Sequence, residues 1–322
     1  MNFDQQSAKQ PVDFEKREEF DRDPKGFIEW AILDYVANSP SNRLENFDGA
    51  PIFEAPIIGY ANGDDPIFGK YKKAVHKDHF MPREILEKYL TEVRKVETPV
   101  VEKVTVVAFA LPYNRETMRV NALEKHGPTL RWNHTLWKGE DFNNELVKHI
   151  IASLESVGVE AVAPDQTPFF SIVFPPEPLA SYWSHRHMAY AAGLGTFSLN
   201  DGLITPKGIG VRCSSFVINT NLEPTPRPYT HHLANCTFYA NGECGACIAR
   251  CPGDAITKDG HDKAKCLYVN FVQHKPWLDG EHGPGYTGYY AGCGLCFTGV
   301  PCSTGIPGRR ASKESGEVNG RR

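Results

Sequence analysis

Residues 244–256 read CGACIARCPGDAI, with three cysteines in eight positions and a proline after the last. Thiols at such spacing can ligate metal, form disulfides or act as redox thiols, and the compartment and the other cysteines decide among these. The start, MNFDQQSAKQPVDFEKREEF, has neither an apolar h-region nor a twin arginine. The most apolar run, Val104 to Leu111, is too short to span a bilayer. These features place the chain in the cytoplasm, where disulfides rarely persist. Cysteine is absent from the first 212 residues, and eight of the nine lie between Cys236 and Cys302. A metal-bearing segment attached to a cysteine-free body is the expectation.

Bacterial-type ferredoxins with two cubane clusters use C-x2-C-x2-C-x3-C-P, in which the fourth cysteine ligates the other cluster. Cys244, Cys247 and Cys251-Pro252 reproduce the last two spacings, and Cys236 stands upstream of the loop TFYANGE as the missing first ligand. A looser copy follows in Cys266, Cys293, Cys296 and Cys302, the last preceded by Pro301. Crossing the two copies gives one [4Fe-4S] cluster to Cys236, Cys244, Cys247 and Cys302, and a second to Cys251, Cys266, Cys293 and Cys296. Cys213 is left over as an ordinary buried strand thiol. Two structural zinc sites with four thiolates each are the rival reading, but zinc knuckles do not usually carry the x3-C-P ending. Radical S-adenosylmethionine chemistry needs C-x3-C-x2-C, and Asp254 stands where its third cysteine would fall. Clusters in series carry single electrons from an outside donor to an acceptor, so the body should hold or dock that acceptor.

The body has the elements to do so. The chain's 322 residues are 41% hydrophobic, enough for a substantial core. Asp23 and Pro24 suit a helix N-cap and first position, followed by the apolar stripe Phe27, Ile28, Ala31, Ile32, Tyr35 and Val36. A second helix follows Pro82, with Ile85, Leu86, Tyr89, Leu90 and Val93 at helical spacing. Between them PIFEAPIIGYANGDDPIFGKYK reads as an irregular arm. Val104 to Leu111 predicts a buried strand, Phe142 to Val157 a helix ended by Gly158, and Val159 to Ala163 a returning strand, an α/β pattern. Trp183 to Ala192 predicts a helix capped by Gly193; NDG at Asn200 to Gly202 is a turn, and Ser215 to Ile218 is a last strand before the link EPTPRPY. The expected division is an N-terminal helical and irregular extension (1–100), an α/β body (101–230), a double-cluster segment (231–307) and a polar, disordered tail (308–322).

The stretch HRHMAYAAGLGTFSLNDGLITPKGIGVRCSSFVINTNLEPTP, followed by the cysteines, resembles the epoxyqueuosine reductase and reductive dehalogenase superfamily over roughly residues 101–305. The resemblance implies an α+β protein: an α/β cobalamin-reductase-like body followed by a ferredoxin-like double [4Fe-4S] module, with base-off cobalamin between them. It implies that Gly193, Leu194 and Gly195 turn tightly beside the corrin, and that Ser198, Leu203, Ile204, Ser214 and Ser215 line it. Where the epoxyqueuosine reductases place an aspartate acid, this chain has Leu179. Glu177, Tyr182 and Arg186 are the replacements, Tyr182 and Arg186 being paired at i,i+4 on one helix face after the manner of the dehalogenases.

The reading that follows is a corrinoid-dependent reductase removing oxygen or halogen, fed by reduced ferredoxin or flavodoxin. A cobalamin-free electron-transfer protein serving a partner enzyme is the alternative. A net charge of −4 and the lack of a dense Lys/Arg cluster in the body favour a small-molecule substrate over tRNA.

Overall fold

The computed structural model describes residues 12–308. The tail expected to be disordered lies, from residue 309 on, outside the described residues. At the centre is a four-stranded sheet of β1 (Ile57–Asn62), β2 (Thr105–Pro112), β3 (Ala161–Val162) and β4 (Val211–Ile218), in the order β1-β2-β4-β3 with every neighbouring pair antiparallel. All of β2 is buried, as its unbroken apolar run requires. Alternate residues serve opposite faces: Val107, Phe109 and Leu111 enter one core, while Val106, Ala108 and Ala110 enter the other.

Helices cover both faces. On the first lie α1 (Phe14–Arg22), α2 (Pro24–Asn38) and the long α6 (Leu130–Ser156), through Ile28, Ile32, Phe142, Leu146 and Ile150. On the second lie α3 (Ile67–Ala74), α4 (Pro82–Glu92) and α7 (His185–Ala191), through Phe68, Ile85, Leu86 and Met188. Asp23 caps α2 as its type suggests, accepting from the Gly26 N–H at 2.9 Å, with Pro24 in the first turn. A short helix, α5 (Arg115–Ala122), follows β2.

The α/β expectation is half met. Strands β2 and β3 are each antiparallel to β4, so they run parallel to one another with α6 as their crossover. The slot between them is filled by β4, which arrives later in the chain and pairs with β2 over eight residues, whereas β3 offers only two. The longer ladder takes the central place.

Two further corrections concern the first hundred residues. Far from forming a separate extension, the described part of residues 1–100 contributes β1 and α1 to α4 to both cores. The proline-rich and glycine-rich arm is not irregular, since it contains β1 and α3. Glycine sits in β1 because backbone crosses there: a Cβ on Gly59 would meet the Ala192 carbonyl oxygen at 2.4 Å and the Leu194 side chain at 2.8 Å. Gly59→Ala is therefore expected to destabilise the fold by about 1–3 kcal/mol. Gly69→Ala, in α3 with open space around it, should stabilise by about 0.5–1 kcal/mol. Urea denaturation followed by circular dichroism checks both signs.

Candidate metal centre

Beyond the link, regular structure is short: helices α8 (Thr237–Asn241), α9 (Ala246–Ala249), α10 (Lys263–Tyr268), continued by a π-helical turn over Val269–Gln273, and α11 (Lys275–Leu278), with a hairpin of Ile256–Thr257 and Gly260–His261. Cys236 precedes α8, Cys247 lies in α9, Cys251 follows it and Cys266 lies in α10. The fold brings Cys236, Cys244, Cys247 and Cys302 around one small cavity, walled by Leu199, Ile204, Phe238 and Val300. Cys251, Cys266, Cys293 and Cys296 form a second group. Burial pushes the Cys302 thiol up to about 12, with Cys236, Cys247 and Cys244 adding to it. Burial likewise pushes Cys293 up to about 12, reinforced by Cys266 and Cys251. Cys296, driven well above the usual thiol range by burial, also feels Cys247, so the two groups adjoin. As free thiols Cys293, Cys296 and Cys302 stay protonated at neutral pH, and metal binding would have to displace their protons. Among the described residues, no three or more His, Cys, Asp or Glu side chains are closed around a single-ion position. Cys213, in β4, is a half-buried thiol held up at about 12 by burial.

Polar side chains from distant parts of the chain fix these groups. The Asn270 amide nitrogen donates to the Cys266 carbonyl at 2.9 Å and to its sulfur at 3.6 Å, while its oxygen accepts from the Cys293 N–H at 2.8 Å. The Ala255 N–H donates to the Cys251 sulfur at 3.2 Å. The NDG turn, legible only as a turn, is where the body meets the cysteines. Asn200 donates to the Cys296 carbonyl at 2.8 Å, and Asp201, at φ +60°, holds His261 at 3.2 Å. Burial opposes the charge on His261, but hydrogen bonds with Asp201 and Cys266 outweigh it and raise the imidazole to about 9. None of Asn200, Asn270 and His261 carries a sequence signal beyond its proximity to a cysteine or a turn.

Of the three expected proton donors, Tyr182 and Glu177 share His76 as a neighbour, whereas the expected pair of Tyr182 and Arg186 is not formed. The chain is extended through Ser184, and α7 starts only at His185, so Tyr182 lies outside the helix and shares no face with Arg186. Tyr182 stacks on His76 with ring centroids 5.4 Å apart. Arg186 donates instead to the Asp201 carbonyl at 2.6 Å. Glu177 is exposed, 3.7 Å from His76 Nε2. Leu179 meets Lys263 through its carbonyl at 3.4 Å.

The corrin-lining residues are also differently employed. Gly193, at φ +77°, caps α7, and a Cβ there would meet the Pro226 carbonyl oxygen at 2.5 Å. A Cβ on Gly195 would meet the Ile204 carbonyl oxygen at 2.5 Å. Leu194, Leu203, Ser214 and Ser215 are buried in protein. Ser198 and Ile204 line the cavity of the first cysteine group. What the sequence did not suggest is a polar row at the start of α7: His185 lies between the Ser215 hydroxyl at 2.9 Å and the Asp165 carboxylate at 3.3 Å, and Trp183 Nε1 also donates to Ser215 at 3.0 Å. Ser215 is wholly buried beneath Trp183, so the row joins α7 to β4 and offers no exposed nucleophile.

No family model matches the chain, and no curated protein matches it. Solved structures similar to it include a reductive dehalogenase described with a mechanism for B12-dependent dehalogenation (15% identity, TM-score 0.48, 80% of this chain and 30% of that one). An epoxyqueuosine reductase from Bacillus subtilis aligns at 18% identity and TM-score 0.39, over 78% of this chain and 62% of that one. A selenomethionine-labelled epoxyqueuosine reductase aligns at 17% and 0.42, over 91% and 68%. The chain thus spans less than a third of the dehalogenase and about two thirds of the reductases. These are the two kinds of protein whose pattern the stretch before the cysteines resembles.

Two histidines are held neutral, His187 within α7 and His79 beside it. His79 Nε2 accepts from the Ser184 N–H at 3.1 Å, which leaves the proton on Nδ1 facing the Phe80 carbonyl at 3.0 Å. Burial lowers His79 to about 4 and His187 to about 3. Both lie below the unfolded value near 6.5, so the stability they contribute is complete above pH 6.5 and is lost as the pH falls towards 4 and then 3. Denaturation midpoints are expected to fall between pH 6.5 and 5, by on the order of 2 kcal/mol per histidine. His79→Gln, with no proton to gain, should flatten the slope.

Proposed function

We propose that the chain is an iron–sulfur oxidoreductase whose ferredoxin-like segment holds two [4Fe-4S] clusters, the first on Cys236, Cys244, Cys247 and Cys302 and the second on Cys251, Cys266, Cys293 and Cys296. The supporting observation is the interleaving: Cys302 folds back to the first group and Cys251 reaches forward into the second, as the crossed cysteine motif demands. The donor set fits the group, being two sets of four thiols with N–H groups aimed at their sulfurs. When bound, such clusters exchange single electrons at potentials set by charge and hydrogen bonding around the sulfurs. Asn270 and the Ala255 N–H supply those bonds in the second group, and the Asn200–Asp201 turn fixes that group against the body.

A reduced ferredoxin or flavodoxin suits the role of donor, and a small molecule or a partner enzyme that of acceptor, since the net charge of −4 gives a polyanion no general attraction. Corrinoid-dependent removal of oxygen or halogen would need an open face at residues 193–195, 203–204 and 214–215. Those positions are filled by the chain's own backbone and core. Gly193, Gly195, Leu203, Ser214 and Ser215 do not fit a corrin, whereas Ser198 and Ile204 face the first cysteine group. This leaves the electron-transfer reading.

In protein purified without oxygen, a broad visible absorbance bleached by dithionite is expected. Cys251→Ser should keep about half the iron; retention of all of it contradicts the crossed pairing, and a colourless, iron-free parent protein contradicts the clusters altogether. Cobalamin added to the same preparation should keep its base-on spectrum, and a stoichiometric shift to base-off would restore the corrinoid reading.

A further inference from the structure

Arg250 stands immediately before Cys251, and its half-buried guanidinium makes an unusual set of bonds. Its Nε donates to the Leu295 carbonyl at 2.9 Å, and one terminal nitrogen reaches the Asn121 carbonyl and the Thr298 hydroxyl, each at 3.4 Å. Among the described residues all of these partners are neutral oxygens and none is a carboxylate. A guanidinium withdrawn from water without an anion is costly, so the anion it serves should lie close by. Leu295 sits between Cys293 and Cys296, and the charge of Arg250 acts on the Cys293 sulfur. The arginine is therefore anchored to the loop carrying two ligands of the second group and is covalently next to a third. No Lys, Arg, His, Asp or Glu lines the cavity of the first group, and the other charges beside the second, His261 and Asp201, face each other at 3.2 Å and largely offset one another.

We propose that Arg250 makes the Cys251, Cys266, Cys293 and Cys296 site the electron-accepting end of the pair, by compensating the negative charge that arrives with each electron. The inference rests on the two-cluster reading above. In the step concerned, one electron leaves the first cluster, which is oxidised by one unit, and enters the second, which is reduced by one. No proton moves and no covalent bond changes. A low-potential one-electron reductant, dithionite in the test, refills the first cluster. A fixed cation near the second site lowers the energy of its reduced form by Coulomb attraction in a medium less polarisable than water, and the apolar walls of the first site provide no such term.

The test is a potentiometric titration of the anaerobically purified, iron-replete full chain, followed by electron paramagnetic resonance. Two reduction steps are expected, with Cys251→Ser removing the higher and Cys302→Ser the lower. Arg250→Gln should move the higher step down, shifting the electron's distribution between the clusters about tenfold, or about 59 mV for a one-electron couple; Arg250→Lys, which keeps the charge, should hold most of the original value. Should Arg250→Gln lose iron, the Lys variant and the two cysteine variants still decide. Coincident steps, removal of the lower step by Cys251→Ser, or an unmoved higher step in iron-replete Arg250→Gln would overturn the proposal while leaving two clusters in place. An iron-free parent protein would sink the two-cluster reading, and this inference with it.

Discussion

Eight sulfur atoms have to be held in two groups by a segment, residues 236–302, that builds almost no ladders of its own. Outside its short helices and one hairpin, its backbone N–H and carbonyl groups need other partners, because a buried unpaired peptide group costs about as much as a lost hydrogen bond. Side-chain amides meet that need. Asn133, fully buried in α6, donates to the carbonyls of Thr287 and Ala291 at 3.0 and 2.9 Å and accepts from the Thr287 N–H at 2.8 Å. Asn121, also fully buried, accepts from the Thr129 N–H at 2.9 Å and points its amide nitrogen at Thr298. With Asn200 and Asn270 these residues act as a substitute ladder, each offering a donor and an acceptor in one plane.

That substitute works only if the amides are rigidly placed, and this is what the body supplies. The 27 residues of α6 carry Trp132, Asn133 and Trp137 on consecutive turns towards the cysteine segment. Trp132 packs against Gly294 at φ +63° and Trp137 against Gly288 at φ +88°, so close that a Cβ at either glycine would lie about 2 Å from an indole atom. Trp137 also donates to the Tyr290 carbonyl at 3.1 Å. Glycine at these places therefore serves two ends, a backbone conformation that other residues resist and space for an aromatic ring. The same helix buries Phe142, Leu146 and Ile150 on the sheet, so the core of the body and the placing of the cysteines share one element.

Much of this was legible from local pattern. The cap at Asp23, the unbroken apolar run of β2 and the glycine ending α7 each depend on a few neighbouring residues. The x2 spacing of Cys244 with Cys247 and of Cys293 with Cys296 is likewise local, whereas the two quartets rest on the crossed logic of the ferredoxin motif. What escaped depends on residues far apart in the chain. The insertion of β4 between β2 and β3 is decided by competing ladders, and the roles of Arg250, Asn270 and His261 by what faces them. The pairing of Tyr182 with Arg186 failed for another reason: helical periodicity was extended past the extended residue Ser184, where the helix had not yet begun.

The AGLG turn shows why a glycine pattern alone underdetermines function. Glycine marks where a side chain is forbidden and says nothing about what forbids it. At Gly193 and Gly195 the obstacle is the chain itself, the carbonyls of Pro226 and Ile204. The proline-rich link that brings Pro226 there is secured on both sides. Thr225 exchanges two hydrogen bonds with Tyr60 at the sheet edge, at 2.9 and 3.0 Å, and Arg227 pairs with Asp65 at 2.7 Å. An edge strand with free N–H and carbonyl groups is a liability that a covering loop removes. A ligand seated on Gly193 would have to displace the Pro226 carbonyl, and with it the link held by Thr225 and Arg227. The glycines and the link are accounted for together as the closure of the sheet.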